Sequence, residues 1–274
     1  YTENSAAFRG EENIEILNKL SEELGVLRQS MLFTGLEVVT YNISHKQRDL
    51  KLFELGKVYR NENNKYLEIS QLCLIMTGNS ASENWLHPTR KVEFHDLYEV
   101  IQKILHKFNI TSYELEFSRN KIFRECVSLF VKDKNLVTFG WLSNDVLRLT
   151  ETRQDVLSGI FDWDYFTRLA SSEILIEEVP KYPEVRRDLS LVIDKSITFN
   201  DILRIVRKKE NELVRRINVF DYYEGDKIEK SKKAYAMSFI LQDKTRTLTE
   251  KIIDRTMNHL MQTFENELGA IIRK

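Results

Sequence analysis

Asp221 and Tyr223 are the residues of this sequence whose types and spacing best suit chemistry on a ligand. They stand two apart in Phe220-Asp221-Tyr222-Tyr223-Glu224-Gly225. In an extended strand, a period of two sends both to one face and Phe220 and Tyr222 to the other. A tyrosine ring beside an acceptor carboxylate is equipped to hold a guanine. The ring stacks on the base, a contact worth about 1–3 kcal/mol, and the carboxylate accepts the paired N–H groups of guanine's Watson–Crick edge. The residues alone equally allow Tyr223 to pack at a strand end and Asp221 to cap the turn. Lys232, Lys233 and Arg186 are nearby cations suited to phosphate contact. Arg187-Asp188 reads as a local ion pair, and Arg204, Arg207, Lys208 and Lys209 as a solvated helix face.

Other chemistry finds less support. The histidines are His45, His87, His95, His106 and His259, with no two at i, i+4, and neither cysteine has a partner at finger spacing. No metal site is expected. No Gly-x-Ser-x-Gly elbow exists, and Cys73 and Cys126 lie in apolar runs without electropositive neighbours. Asp162 and Asp164 share a strand face and could suggest paired carboxylates or a magnesium site, but solvent-facing acids at a strand end are far more common. No catalytic residue is expected, and with 9 glycines and 3 prolines a glycine-rich phosphate loop is disfavoured.

The elements that must position Asp221 and Tyr223 follow from periodicity. Leu189, Leu191 and Ile193 alternate as in a half-buried strand, and Phe199, Ile202, Leu203 and Val206 fall at helical spacing. A strand over about 214–223 stops at Glu224-Gly225-Asp226. In the next, Tyr235, Met237, Phe239 and Leu241 point one way and Ala234, Ala236, Ser238 and Gln242 the other. Thr247-Leu248-Thr249-Glu250 reads as a capping box. It opens a helix striped by Ile253, Met257, Leu260, Phe264 and Leu268, which Gly269 stops before a last short strand at 270–273. The βαββαβ order is the ferredoxin-like plan.

The residues within this plan carry a resemblance. Pro183, Arg187-Asp188-Leu189, Phe220-Asp221-x-Tyr223-x-Gly225, Lys232-Lys233, Thr245-Arg246-Thr247-Leu248-Thr249 and Leu268-Gly269-Ala270-x-Ile272-Arg273 stand in the order of one family. The stretch resembles the ferredoxin-fold anticodon-binding domain of bacterial phenylalanine–tRNA ligase β subunits. The resemblance implies stacking of Tyr223 on the first anticodon base, with Asp221 nearby in recognition. The family commonly has Ser at the place of Ala234, where it can bond the anticodon. That lost hydroxyl removes a contact worth about 1 kcal/mol, and Ser231 is its candidate substitute.

Upstream, Ile14, Leu17, Leu20 and Leu24 suggest a helix over 13–24, and Leu27-Arg28-x-Ser30-x-Leu32 leads into a second through Val38, Val39 and Tyr41. Strands are expected at 50–59, 69–77, 113–117, 126–131, 136–142 and 160–164, with a polar tip at 61–65 and a helix at 94–108. An antiparallel sheet with helices over it, α+β, is the economical arrangement. Asn18, Leu20-Ser21, Leu27-Arg28, Gly35-Leu36, Asn42 and Phe53-Glu54-x-Gly56-x-Val58-Tyr59 resemble the catalytic-like domain of the same β subunits, with Asn18-Lys19 where Asn-Pro is common. The resemblance implies a class II synthetase-like sheet domain over 1–172, without chemistry, ahead of the anticodon-binding domain over 180–274.

The residues agree with that absence. Arg60 alone could mimic an ATP-binding arginine, and Phe139-Gly140-Trp141-Leu142 has one glycine and a bulky Trp where a nucleotide needs room. As the resemblance has it, the whole enzyme joins phenylalanine to its tRNA with ATP and Mg²⁺ at the catalytic α subunit of an α₂β₂ assembly. The hydrolytic editing site lies in a β-subunit region missing here. Helices within 27–41 are candidates for contact with the α subunit.

Charge is divided unevenly: from Pro180 onward there are 20 Lys+Arg against 15 Asp+Glu, within a chain of net charge −1. A basic module attached to an acidic one suits RNA. The opening at Tyr1 makes a piece of a longer protein the expectation, the two cysteines a reduced, cytoplasmic one. Neither a leader nor a membrane-spanning run is seen, so no membrane is an expected partner; the resemblance implies tRNA and not DNA. Two other readings compete. Lys233 to Phe239 loosely matches an RRM third strand, lacking its Gly at 234 and its aromatic at 237, and would centre RNA on Tyr235. A ferredoxin-like small-molecule regulatory domain would instead dimerise on ligand binding.

Overall fold

The structure is a computed structural model that describes residues 13–18, 25–62, 65–86, 88–171, 173, 179–209, 212–226 and 228–273. It divides into two units, Tyr1–Ile174 and Leu175–Lys274. The expectations for Lys19, Leu20-Ser21, Leu24 and His87 lie outside the described residues.

The first unit opens on a small antiparallel pair, β1 (Ile14–Glu15) and β2 (Val26–Leu27). This corrects the helix expected over 13–24 for its described part: Ile14 pairs with Leu27 in a ladder, and Leu17 is 99% exposed, so no apolar stripe faces a core. Helix α1 (Leu32–Ser44) follows, burying Leu32, Phe33, Leu36 and Val39 at helical spacing.

Next come β3 (Leu50–Glu62), β4 (Lys65–Thr77), α2 (Phe94–Lys107), β5 (Glu114–Asn120), β6 (Phe123–Val131), β7 (Lys134–Leu142), α3 (Asn144–Leu149), β8 (Val156–Asp162) and α4 (Trp163–Leu169). Six strands form one antiparallel sheet in the order β3-β4-β8-β7-β6-β5. Strand β4 is sandwiched. Its Leu72, Leu74 and Met76 pack with Leu97, Ile101 and Leu105 of α2, and its Cys73 and Ile75 with Leu36 and Val39 of α1. Burial on both faces explains an apolar run with no alternation. Cys73 and Cys126 are free and buried, and burial pushes the Cys73 thiol up to about 12. No described helix is long and apolar enough to cross a membrane.

The strand expected over 160–164 ends at Asp162, because that carboxylate accepts the Tyr165 N–H at 2.7 Å and opens α4. Asp164, in the first turn of α4, accepts the Ser70 N–H at 2.8 Å. The two acids therefore share no strand face. Both are occupied in fixing backbone.

Helix α2 is held by Asp96, which accepts the Glu93 N–H at 2.7 Å and both terminal nitrogens of Arg90 at 2.7 Å. Chiefly the Arg90 hydrogen bonds draw its carboxyl down to about 2. A depressed folded value means stability that is present above the unfolded value of about 3.9 and lost as pH falls toward the folded one. Asp96→Asn is thus expected to lower urea stability at pH 7, with the gap to wild type narrowing from about pH 4 to about pH 2. A gap constant over that range would contradict the assignment.

The second unit runs β9 (Val185–Asp194), α5 (Phe199–Lys209), β10 (Val214–Tyr223), β11 (Lys232–Leu241), α6 (Glu250–Leu268) and β12 (Ile271–Arg273). The expected βαββαβ order holds. The sheet order is β10-β11-β9-β12, antiparallel throughout. Leu191, Ile193, Met237, Phe239 and Leu241 pack under Ile202 and Val206 of α5 and Ile253, Leu260 and Phe264 of α6. Both helices thus cover one sheet face, and among the described residues no helix of this unit covers the other. Helix α6 ends at Gly269, with φ 60°.

Its start departs from the sequence reading. Thr249 is the N-cap and makes no side-chain cap bond. The box fails because the helix begins two residues late for it: with Thr249 as N-cap, Glu250 is the first helical residue rather than the third, and its Oε2 accepts from Arg187 Nη2 at 2.6 Å instead.

Candidate nucleic-acid interface

Asp221 and Tyr223 owe their direction to pairing between β10 and β11. Asp221 lies opposite Ala236, Tyr222 opposite Tyr235 and Tyr223 opposite Ala234. Since Tyr235 packs against the helix-side core with Met237 and Phe239, Tyr222 shares that side, its ring centroid 5.6 Å from that of Tyr235. Asp221 and Tyr223 leave the helix-free face. Tyr223 is 39% exposed there. Tyr235, on which an RRM-like reading would centre RNA, is turned toward the helices.

Phe220 does not follow the period. The ladder shifts between Val219 and Asp221, leaving Phe220 as an extra residue. Such a bulge re-aims a side chain. The ring of Phe220 ends up 5.3 Å from the guanidinium of Arg186, which sits opposite Ile240 on the helix-free face of β9. Phe220 therefore shares a face with Asp221 and Tyr223, not with Tyr222. No sequence signal marks this bulge.

The carboxylate of Asp221 accepts the Tyr222 N–H through Oδ1 at 2.8 Å, and Oδ2 has no hydrogen-bond partner among the described residues. A carboxylate oxygen next to an exposed ring is the kind of acceptor a guanine edge requires. The hydroxyl of Tyr223 lies over Gly225, where a Cβ would come within 2.6 Å of it and 2.9 Å of Cζ. Tyr222 donates to the Glu224 carboxylate, which also pairs with Lys195 at 3.0 Å. That hydrogen bond pushes the Tyr222 phenol up to about 12 and holds Glu224 below its ordinary value.

The other sequence-derived residues divide. Ala234 is buried across from Tyr223 and floors the site. Lys232 lies opposite Asp194 on the helix-free face, with Nζ 3.3 Å from Glu229. Lys233 is turned to the helix side, is 8% exposed and donates through Nζ to the Lys195 carbonyl at 2.9 Å. Arg186 is on the site's face, where Nε and Nη2 donate to Asp188 at 2.7 and 3.1 Å.

The ion pair expected for Arg187-Asp188 is thus made by Arg186 instead, because residues two apart share a strand face while neighbours do not. Arg204 and Lys209 belong to the helix layer, near Asp201 and Glu267 respectively. The structure therefore gathers Asp221, Tyr223, Ala234, Lys232 and Arg186 on one face and adds Phe220 and Asp188, which sequence reasoning missed.

In the first unit, Phe139 is stacked within the core on Phe94 and Tyr98, with centroids 5.1 and 5.6 Å away. Trp141 lies under the Arg124 guanidinium at 5.0 Å. Arg60 stands on β3 opposite Leu67.

Comparison with known proteins places both units in one family. Residues 2–163 match the family model of the phenylalanyl tRNA synthetase beta chain CLM domain, and residues 180–273 that of the ferredoxin-fold anticodon binding domain. The phenylalanine–tRNA ligase β subunit of Bacteroides thetaiotaomicron is 33% identical over 273 residues, covering 95% of this chain and 33% of the relative. That of Porphyromonas gingivalis is 32% identical over 286 residues, covering 100% and 35%. That of Fusobacterium nucleatum is 32% identical over 279 residues, covering 97% and 34%.

The chain therefore spans about a third of the length of the curated relatives it matches. A solved pyrrolysyl tRNA synthetase from Desulfitobacterium hafniense aligns over 61% of this chain and 58% of that one, with a TM-score of 0.41 and 13% identity, too loose a likeness to support an argument. With one family model over more than half its length and a second over the ferredoxin-like unit, the chain belongs to the phenylalanyl-tRNA synthetase β-chain family.

Proposed function

We propose that this chain reads the anticodon of the phenylalanine tRNA and supports the catalytic α subunit of an α₂β₂ phenylalanine–tRNA ligase in the cytoplasm. The observation that carries the anticodon reading is the pairing of Asp221 and Tyr223 on one exposed face of a ferredoxin-fold sheet. The ring of Tyr223 stacks on the first anticodon base, and Asp221 accepts the two N–H groups that mark it as guanine. Arg186 and Lys232 lie on the same face and are suited to the backbone phosphates. Lys233 keeps the neighbouring turn in place through its bond to the Lys195 carbonyl.

Support of the α subunit falls to the first unit. Helix α1 leaves Val38 and Tyr41 exposed, and the edge strand β3 leaves Phe53 and Leu55 exposed. Val38 and Phe53 line one apolar cleft together with Met31 and Gly35. Large exposed apolar side chains so grouped suit a protein partner. In this reading ATP and Mg²⁺ are handled by the α subunit, and the chain alone catalyses nothing. ATP–pyrophosphate exchange by the purified chain would contradict that.

The direct test is binding of an anticodon stem-loop carrying GAA against one with its first base changed. Wild type is expected to prefer GAA, and Tyr223→Ala to lose roughly 10-fold or more of that affinity, as loss of one stacked base implies. Equal binding of the two loops by wild type would sink the anticodon reading.

A further inference from the structure

Phe220 is the aromatic residue of the helix-free face that the first-base reading leaves unused. The bulge between Val219 and Asp221 throws its side chain out of the core period, and the ring is 51% exposed. One ring face is backed by the guanidinium of Arg186 at 5.3 Å. That guanidinium is itself fixed, since Nε and Nη2 are both engaged by Asp188. The floor beside the pair is made of small side chains: Ala236 opposite both Asp221 and Ser190, and Ser238 opposite Asp188. A planar group can lie against such a floor without displacing anything large. An exposed ring with a cation behind it, on the same strand face as Tyr223, has the form of a stacking platform for single-stranded nucleic acid.

We propose that Phe220, backed by Arg186, is a second base-stacking position that takes the anticodon nucleotide next to the one on Tyr223. This rests on the anticodon reading above and extends it from one base to two. Phe220 and Tyr223 stand about 10 Å apart along the strand, a separation adjacent bases reach only when splayed out of their own stack. Stacking accepts any base, so this position adds affinity and order to the loop rather than choice of base. Arg186 retains Nη1, which has no partner among the described residues, as a donor for the phosphate between the two nucleotides.

The test is fluorescence anisotropy of the whole chain with GAA stem-loops that are intact or abasic at the first, second or third anticodon position. Phe220→Ala is expected to weaken the intact loop about 10-fold. The abasic second position should weaken wild type by a similar factor and add nothing further to Phe220→Ala. Phe220→Tyr, which keeps the ring, should bind as wild type does. The abasic first position should still weaken Phe220→Ala, because Tyr223 remains. Unchanged binding by Phe220→Ala, or losses that multiply with the abasic second position, overturns the proposal while leaving first-base discrimination by wild type intact. Coupling to the third position alone overturns the assignment of the nucleotide. If wild type fails to discriminate the first base at all, the anticodon reading falls and takes this position with it.

Discussion

Gly140→Ala is expected to destabilise the first unit by roughly 3 kcal/mol or more, at the upper end for overpacking a core. A Cβ at this position would lie 2.0 Å from the Glu125 carbonyl oxygen and 2.7 Å from the Cα of Cys126. Both are backbone atoms of β6, paired with β7 at that point. A side chain can change rotamer to make room, but a paired strand can do so only by opening its ladder. Gly140 pairs with Cys126 between the pairs Val127↔Phe139 and Glu125↔Trp141, so relief means moving paired backbone on both sides of it. Urea unfolding followed by circular dichroism measures the cost, and a loss under about 1 kcal/mol would refute the packing argument. The same contact bears on function. A lone glycine in Phe139-Gly140-Trp141 is required by the neighbouring strand, so it is no sign of a surface kept bare for a nucleotide.

What the sequence made legible depended on whether neighbours in the chain or distant ones set the geometry. Strand β11 and helix α6 were readable because each buries one regular face: Met237, Phe239 and Leu241 in one, Ile253, Leu260 and Phe264 in the other. Helix α2 was readable for the same reason, through Leu97, Ile101 and Leu105. Strand β10 was readable as a strand but not in its details. A single inserted residue reverses the face of everything before it relative to everything after, and Phe220 is where that happens. Asp221 and Tyr223 both lie beyond the bulge, so their shared face survived.

The other departures have long-range causes. Glu250, at the first position of its helix rather than the third, pairs with Arg187, sixty-three positions away in sequence. Asp164 turned to the backbone of Ser70, ninety-four positions away. Lys233 followed the strand period to the helix side, although its charge suggested a phosphate. Charge and motif located the region of the candidate site, whereas the ladder register decided which of its side chains stand together.

Gly225→Ala is expected to weaken GAA stem-loop binding nearly as much as removing the Tyr223 ring, while leaving the fold in place. A Cβ at Gly225 would stand 2.6 Å from the Tyr223 hydroxyl and 2.9 Å from Cζ. The obstructing atoms are at the far end of an exposed side chain, not in backbone, so relief comes from swinging the ring away. That movement should cost little stability, within about 0.5 kcal/mol, as for other surface changes. It would nevertheless remove the ring from the position in which it stacks, a loss of about 10-fold in affinity or more. The decisive comparison is a cycle with Tyr223→Ala. If the glycine acts by leaving room for the ring, Gly225→Ala adds nothing once the ring is gone. If it weakens binding equally in both backgrounds, Gly225 acts through the turn itself, and the ring's placement does not depend on it.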